Sequence, residues 1–562
     1  MLMRVLTYIL GGILVLLLLC GLVFYAQVRI DDPVLDAERI TDTRIDTLGL
    51  HHYRYGKSAL QLNDKGLWEL HLTGAPYERG VAFGALGKNL MGQKEVAFIG
   101  EIRNRVPSET FLNFLKYLVG WFNRDMDEYV PREQLLEIYG SSQLMADEFD
   151  YIAPKFHRAL SYHGAHDIGH ALQNMNLVGC TSFATWSQHS EGNRLLIGRN
   201  FDFYFGEDFA RDKVVALYRP EEGYKFLSVT WAGFSGVVSG MNEKGLTITL
   251  NSAKSDIPTK GKTPVSLIAR QILQYASTIQ EAYEIASSFD SFVAETFLIG
   301  SKIDGRVGLI EKSPGKTALH YADEDRMIIT NHFQSKELFP DPLNQEYIGE
   351  EVSTYRYQRV EQLLDSLAPL TPASAAAILR DKKGLNNKDI GLGNEKAINQ
   401  LIAHHSVIFS PEELVVWVSC APYQLGDYVA YDLKKIFADS LETANTPYAY
   451  SDSLTIGADP FLASAEYRQY EFFAKTRDRI QHLGFTGKGT PLTEAEVKAF
   501  ERSNPNSFLT YYYLGDYFKI QQDWQRAINY FEKGLTKEIA RTSERKHMQE
   551  GINLCREKLN ND

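Results

Sequence analysis

Gly179-Cys180-Thr181-Ser182-Phe183, with Gly198-Arg199-Asn200-Phe201-Asp202 downstream, is the stretch on which the reading of this chain turns. Thr181 to Trp186 is short, aromatic and β-branched, which predicts a strand. Ser190-Glu191-Gly192-Asn193 supplies a turn, since Gly and Asn tolerate positive φ. Leu195 to Gly198 then reads as the return strand. Such a hairpin brings Arg199 and Asp202 back beside Cys180, so that a thiol, a guanidinium and a carboxylate share one small space.

The thiolate is the reactive form of cysteine, and a neighbouring arginine favours it. If a break between Gly179 and Cys180 turned Cys180 into an N-terminus, its α-amine, with an ordinary pKa of about 7.7–8.0, could take the thiol proton. Asp202 would hold that amine, and no histidine is required. The plainer alternative is a buried strand cysteine beside an ordinary surface arginine and aspartate. Short motifs of this kind recur by chance.

Further stretches follow in order: Gly74-Ala75-Pro76-Tyr77-Glu78-Arg79-Gly80 with Gly84, Gly240-Met241-Asn242-Glu243-Lys244-Gly245-Leu246, Leu250-Asn251-Ser252, Thr330-Asn331 and Ser353-Thr354-Tyr355-Arg356-Tyr357. Together they resemble the penicillin acyltransferase-like (isopenicillin-N acyltransferase-like) branch of the cysteine N-terminal nucleophile hydrolases, from Leu70 to Leu433. Bile salt hydrolases and penicillin V acylases are more distantly similar. The resemblance implies an α+β fold, an αββα sandwich, and self-cleavage between Gly179 and Cys180. It implies a cysteine amidohydrolase or acyltransferase acting on a linear amide bond through an acyl-thioester on Cys180, without cofactor or metal. The catalytic set implied is Cys180, Arg199, Asp202, Asn251, Asn331 and Arg356. Asparagine is common at strand ends simply because it favours turns. Yet an amide-cleaving cysteine requires donors for the developing oxyanion, and an asparagine N–H can serve; by resemblance Asn251 and Asn331 do so. For Arg356 the plainer reading is a solvated helix arginine.

At 562 residues the chain exceeds one compact core. Its formal net charge of −12 argues against a nucleic-acid partner, which wants a basic face. Val5 to Tyr25 is uncharged and apolar, long enough for a bilayer core of about 30 Å. The run ends Leu22-Val23-Phe24-Tyr25-Ala26-Gln27, a poor signal-peptide cleavage site. A retained anchor is expected, with the catalytic part on the outer, periplasmic or extracytoplasmic face by the positive-inside rule.

The four cysteines are Cys20 in the apolar run, Cys180, Cys420 in a strand-like run, and Cys555, which leaves no disulfide framework. His157, His163, His166 and His170 precede Cys180. His166 and His170 have a spacing that can hold a metal, but no acidic third ligand is evident and Gly164 and Gly169 weaken a helix there. They, and His404-His405, read as packing or solvated residues.

The expected organisation is an anchor over 1–30, a helix-rich pro-segment over 31–179, the catalytic chain over 180–440, and a linker with a helical tail over 441–562. Arg29 to Leu60 reads as a linker with an opening strand, and Ser451 to Lys488 as linker-like with helical stretches. Asn506 to Leu535 looks like one tetratricopeptide-type helix pair, with Ala540 to Leu559 as a capping helix. Packing on the catalytic domain is the plainer role for these helices, and docking of a protein partner the sharper one. Two function classes stand: an enzyme on a small-molecule acyl amide, and a membrane-tethered binding protein on an inactivated hydrolase scaffold.

Overall fold

A computed structural model describes residues 2–35, 38–106, 108–171, 179–254, 256, 258–350, 352–438 and 448–561. Two β-sheets dominate it. In chain order the strands are β1 (Asp46–Gly49), β2 (His52–Tyr55), β3 (Ser58–Leu62), β4 (Trp68–Gly74), β5 (Thr181–Thr185), β6 (Leu196–Phe201), β7 (Val214–Pro220), β8 (Phe226–Thr230), β9 (Ser239–Asn242), β10 (Leu246–Ser252), β11 (Glu295–Ser301), β12 (Arg306–Ser313), β13 (Lys316–His320), β14 (Arg326–Ile329), β15 (His405–Ser410), β16 (Val415–Ser419), β17 (Tyr428–Asp432) and β18 (Tyr450–Ile456). The first sheet runs β1-β2-β3-β4-β7-β8-β9-β10-β11-β12-β13, and the second β14-β5-β6-β15-β16-β17-β18. The β4–β7 pairing is parallel and joins the segment before Cys180 to the segment after it.

Strand alternation builds the layers. In β7, Val215 and Leu217 point one way and Val214, Ala216 and Tyr218 the other, and both sets are buried. The first set meets Ile197, Val407, Phe409 and Val418 of the second sheet, so the two sheets face each other across an apolar layer. The second set packs on Val81, Phe83 and Leu86 of a long helix, and on Ile268 and Ile272 of the helix Val265–Tyr275. On the outer face of the second sheet, Leu196 and Ile408 pack on Val360 and Leu364 and on Ala376 and Leu379, from the helices Val352–Leu367 and Pro372–Leu379. The architecture is helix–sheet–sheet–helix, and sheets with both faces covered explain the near-continuous apolar strands.

The helices ahead of Cys180 include α1 (Leu2–Val28), α2 (Pro76–Arg105) and α3 (Glu109–Phe122). The stretch Arg4–Val28 is long and apolar enough to cross a membrane, and none of it is buried. α2 lies on the helix Arg132–Ser142 at very close range. A Cβ on Gly80 would collide with the Glu137 carbonyl, and one on Gly84 would sit 2.8 Å from the Ser141 carbonyl oxygen. Arg79 Nη2 donates to Glu133 at 2.7 Å and Glu137 at 3.0 Å, and Arg270 Nη2 reaches Glu137 at 3.2 Å. The Gly-Ala-Pro-Tyr-Glu-Arg-Gly stretch is thus the close-packed, ion-paired seam of the segment before Cys180.

Some elements differ from the sequence reading. Between Arg29 and Leu62 there are three strands rather than one. Between Tyr450 and Lys488 the chain is not linker-like: β18 extends the second sheet and Ala465–Thr486 is a long helix. That helix buries Tyr467, Tyr470, Phe473 and Ile480, whose aromatic spacing and many charges hide the pattern. With the helices Glu494–Ser503, Phe508–Ile520, Trp524–Leu535 and Thr542–Asn561 it forms one apolar cluster, which also takes in Val352, Leu392, Leu401 and Leu425 of the sandwich. Gly164 does not end the helix Lys155–Ala171; its bare Cα admits the Met126 methyl. The side chains of His166 and His170 lie outside the described residues.

Candidate active site

β5 and β6 are the predicted hairpin. Phe183 pairs with Gly198, Ser182 with Arg199 and Thr181 with Asn200. A Cβ on Gly198 would lie 2.6 Å from Phe183 Cζ, so the glycine makes room for the cross-strand ring. Alternation then sorts the site: Ser182 and Arg199 face the inter-sheet layer, and Thr181 and Asn200 face the helices. Cys180, just ahead of β5, is fully buried.

Arg199 Nη2 donates to Cys180 Sγ at 3.6 Å and to the Leu250 carbonyl. Its Nη1 donates to the Val238 carbonyl at 3.0 Å and to Ser239 Oγ at 2.5 Å. Burial pushes the Cys180 thiol up to about 11; Arg199 pulls it down, and Asp202 and Glu295 push it further up. In the intact chain the thiol is therefore held protonated.

Gly179 is gripped on both sides. Its N–H donates to the Asp202 carbonyl at 3.1 Å. Its own carbonyl accepts from Gln400 Nε2 at 3.1 Å, and the same Gln400 nitrogen lies 3.3 Å from Asp202 Oδ2. Burial raises the Asp202 carboxyl to about 7, against the pull of Arg356 and Arg199. Asp202 Oδ1 has no hydrogen-bond partner among the described residues, a costly arrangement for a buried carboxylate oxygen.

Arg356 enters from the helix side. Its Nη1 donates to the Cys180 carbonyl at 2.6 Å and Thr181 Oγ1 at 2.7 Å, and its Nη2 to Asn331 Oδ1 at 2.6 Å. It is a buried residue touching the Cys180 main chain, not a solvated helix arginine.

Asn251 and Asn331 cross the inter-sheet gap in opposite directions. Asn251 Nδ2 donates to the Thr330 carbonyl at 3.1 Å, and its Oδ1 accepts from Ser182 Oγ at 2.7 Å. Asn331 Nδ2 donates to the Ser252 carbonyl at 3.0 Å. The other five sequence-derived residues therefore gather about Cys180, with both asparagine amides engaged on main-chain carbonyls.

Sequence reasoning missed Gln400, Ser182, Ser239 and His405. Ser239 Oγ accepts from Arg199 and lies 2.9 Å from His405 Nε2, and His405 Nδ1 lies 2.9 Å from His404 Nδ1. Burial drives both histidines well below their usual range, so both are neutral and this chain holds Arg199 without adding charge. Of the two sequence readings for His404-His405, packing and solvated, the structure shows packing, and they pack on the site. His163 is likewise buried; its Nε2 accepts from the Ser235 N–H at 3.1 Å. Nothing at the sequence level marks Gln400, because it lies over 200 residues from its partner.

An aromatic pocket opens in the apolar cluster that also holds Cys180, although Cys180 is not among its lining residues. Phe203, Phe209, Trp231 and Phe234 share the apolar cluster of Cys180 and line the pocket with Met91 and Phe98 of α2. Lys94 Nζ closes one side on the Phe209 and Arg211 carbonyls, and burial lowers it to about 8.

Fold and site together define a chain with a buried, arginine-paired cysteine at the edge of an αββα sandwich. Residues 189–421 match the family described as "Acyl-coenzyme A:6-aminopenicillanic acid acyl-transferase", and Arg199, Asp202, Asn251, Asn331 and Arg356 lie within the matched residues. Cys180 lies just ahead of the matched residues. An uncharacterized protein of Archaeoglobus fulgidus is 25% identical over 310 residues, 49% of this chain and 51% of the relative, so the match spans about half the length of that curated protein. Among solved structures, the N-acylethanolamine-hydrolyzing acid amidase ortholog of Caenorhabditis elegans is 16% identical, with 42% of this chain and 93% of that one covered and a TM-score of 0.31. Penicillin V acylase from Agrobacterium tumefaciens is 15% identical, with coverage of 46% and 87% and a TM-score of 0.29.

Proposed function

We propose that the protein is a self-processing cysteine amide hydrolase or acyltransferase of the N-terminal nucleophile type, anchored in a membrane by α1 with its catalytic part on the outer face. The observation that carries this is the double grip on Gly179 directly beside an arginine-paired Cys180.

Processing would begin with Cys180 Sγ attacking the Gly179 carbonyl carbon. Gln400 polarises that carbonyl, and Asp202, with a carboxyl near 7, is suited to take the thiol proton. The Gly179–Cys180 C–N bond breaks as the Cys180 nitrogen is protonated, leaving Gly179 as a thioester. Water then hydrolyses the thioester to the Gly179 carboxylate and the free thiol. The new ammonium of Cys180 gives Asp202 Oδ1 the partner it lacks among the described residues.

In the processed enzyme the α-amine would serve as base, Arg199 would favour the thiolate, and Arg356 would hold the Cys180 carbonyl. Asn251 or Asn331 would serve the oxyanion by exchanging its present carbonyl partner. The aromatic pocket would take an apolar acyl group. Water or an amine would resolve the acyl-thioester. The C-terminal helices support the sandwich through their shared apolar cluster.

N-terminal sequencing of the purified protein tests the reading: a chain beginning at Cys180 is expected to copurify with the preceding segment. Intact mass after incubation with acyl amides should then reveal an adduct on the Cys180 chain. A wild-type protein with only an uncut chain removes the α-amine mechanism.

A further inference from the structure

α3 is an anomaly in a folded domain: a 14-residue helix, Glu-Thr-Phe-Leu-Asn-Phe-Leu-Lys-Tyr-Leu-Val-Gly-Trp-Phe, with no buried residue. Phe111, Phe114, Tyr117, Leu118 and Trp121 are 41–54% exposed. Their three- and four-residue spacings place them along one side of the helix. Large contiguous exposed apolar surface of this kind marks an interaction site.

Its neighbour indicates the partner. α3 lies against the last turns of α1, where the apolar run ends. Phe24 stacks on Trp121 with ring centroids 5.8 Å apart and meets Tyr117 at 6.2 Å. Val28 packs against the bare Cα of Gly120. The exposed face of α3 is thus continuous with the bare apolar surface of α1, at the level where Arg29 and Asp31 begin the polar chain.

The composition fits that depth. Tryptophan and tyrosine favour the membrane–water boundary, and cations near helix ends extend toward water from apolar stems. The Arg124 guanidinium covers the Trp121 ring at 4.3 Å, and Lys116 Nζ turns back to the Tyr151 carbonyl at 3.1 Å. The same C-terminal end is fixed to the sandwich: the Phe122 ring contacts Phe292 at 5.5 Å, and its carbonyl accepts from the Gly261 N–H at 2.8 Å.

We propose that α3 is an interfacial helix, lying in the headgroup–acyl boundary of the bilayer beside the exit of α1, so that two elements dock the catalytic domain on the membrane. This rests on the reading of α1 as a membrane span. The test uses the full chain reconstituted in phosphatidylcholine vesicles, with and without bromine on the upper acyl carbons. Trp68, Trp186, Trp231 and Trp417 are buried and Trp524 packs in the C-terminal helical cluster, so quenching by brominated lipid should come from Trp121. Emission should fall in brominated vesicles, and the fall should vanish in Trp121→Phe and shrink severalfold in Leu118→Lys. Protein that floats with the vesicles but emits equally in both lipids overturns the inference and leaves the anchor standing. Protein that does not float overturns both. A mass doubling in detergent that Leu118→Lys abolishes, with no quenching, would assign the face to a second copy instead.

Discussion

The side-chain amide of Gln400 donates to the carbonyl of Gly179 at 3.1 Å while the same nitrogen lies 3.3 Å from the Asp202 carboxylate. One buried side chain thereby links the Gly179 carbonyl with the Asp202 carboxylate. Loss of a comparable oxyanion donor typically costs about 10²–10³ in rate. Gln400→Met, which keeps the bulk and removes the donor, should slow appearance of the Cys180 N-terminus by a similar factor. Pulse labelling followed by denaturing electrophoresis reads the rate, and a rate equal to wild type would deprive Gln400 of this role.

Asp202 sets the expected pH dependence. Its carboxyl is raised to about 7 by burial, so it is protonated below that value and a base above it. Processing should therefore accelerate as pH rises through about 7 and level off beyond it. Asp202→Asn should be slow at every pH, with that rise gone. The same slope in the variant would mean that another group takes the proton.

A packing prediction follows from Gly80. Its Cα lies against the Glu137 main chain, and that carbonyl cannot rotate away without breaking the helix Arg132–Ser142. Overpacking typically costs about 1–3 kcal/mol. Gly80→Ala should be destabilised by at least that much in a denaturant titration of the solubilised protein, whereas Gly92→Ala, where a Cβ meets nothing within 4 Å, should be neutral or better. Equal midpoints for the two variants would contradict the close seam.

Much of this arrangement is legible in the sequence for local reasons. The β5–β6 hairpin carries its own turn, and two adjacent strands fix Arg199 relative to Cys180 without help from elsewhere. Asn251 and Asn331 were found by resemblance, but their crossed bonds between the two sheets depend on a sheet pairing that no local pattern encodes. Gln400, Ser239 and His405 reach the site only through long-range packing, and each looks like an ordinary core polar residue in its own stretch. The helix Ala465–Thr486 shows in the sequence only as helical stretches within a linker-like segment, because its buried face is tyrosine and phenylalanine set among charges, which blurs the apolar period. Only one of β1 to β3 is legible in the sequence, because such short strands resemble an irregular linker until β4 supplies their edge.

The aromatic pocket yields a prediction about the acyl group. Trp231 stacks on Phe234 with centroids 4.2 Å apart and on Phe203 at 6.0 Å, in the cluster that contains Cys180. If the pocket holds the acyl chain, Trp231→Ala removes apolar area that a long acyl group covers and a short one never reaches. About 100 Å² of lost contact at roughly 25 cal/mol per Å² is about 2.5 kcal/mol, or roughly 10–100-fold in kcat/KM. The loss should therefore appear for amides of long or aromatic acyl groups and be nearly absent for acetyl amides. The ratio of the two kcat/KM values is the quantity to measure, because a merely misfolded fraction lowers both equally. A ratio unchanged from wild type would place the acyl group elsewhere and leave this pocket to the amine side of the substrate.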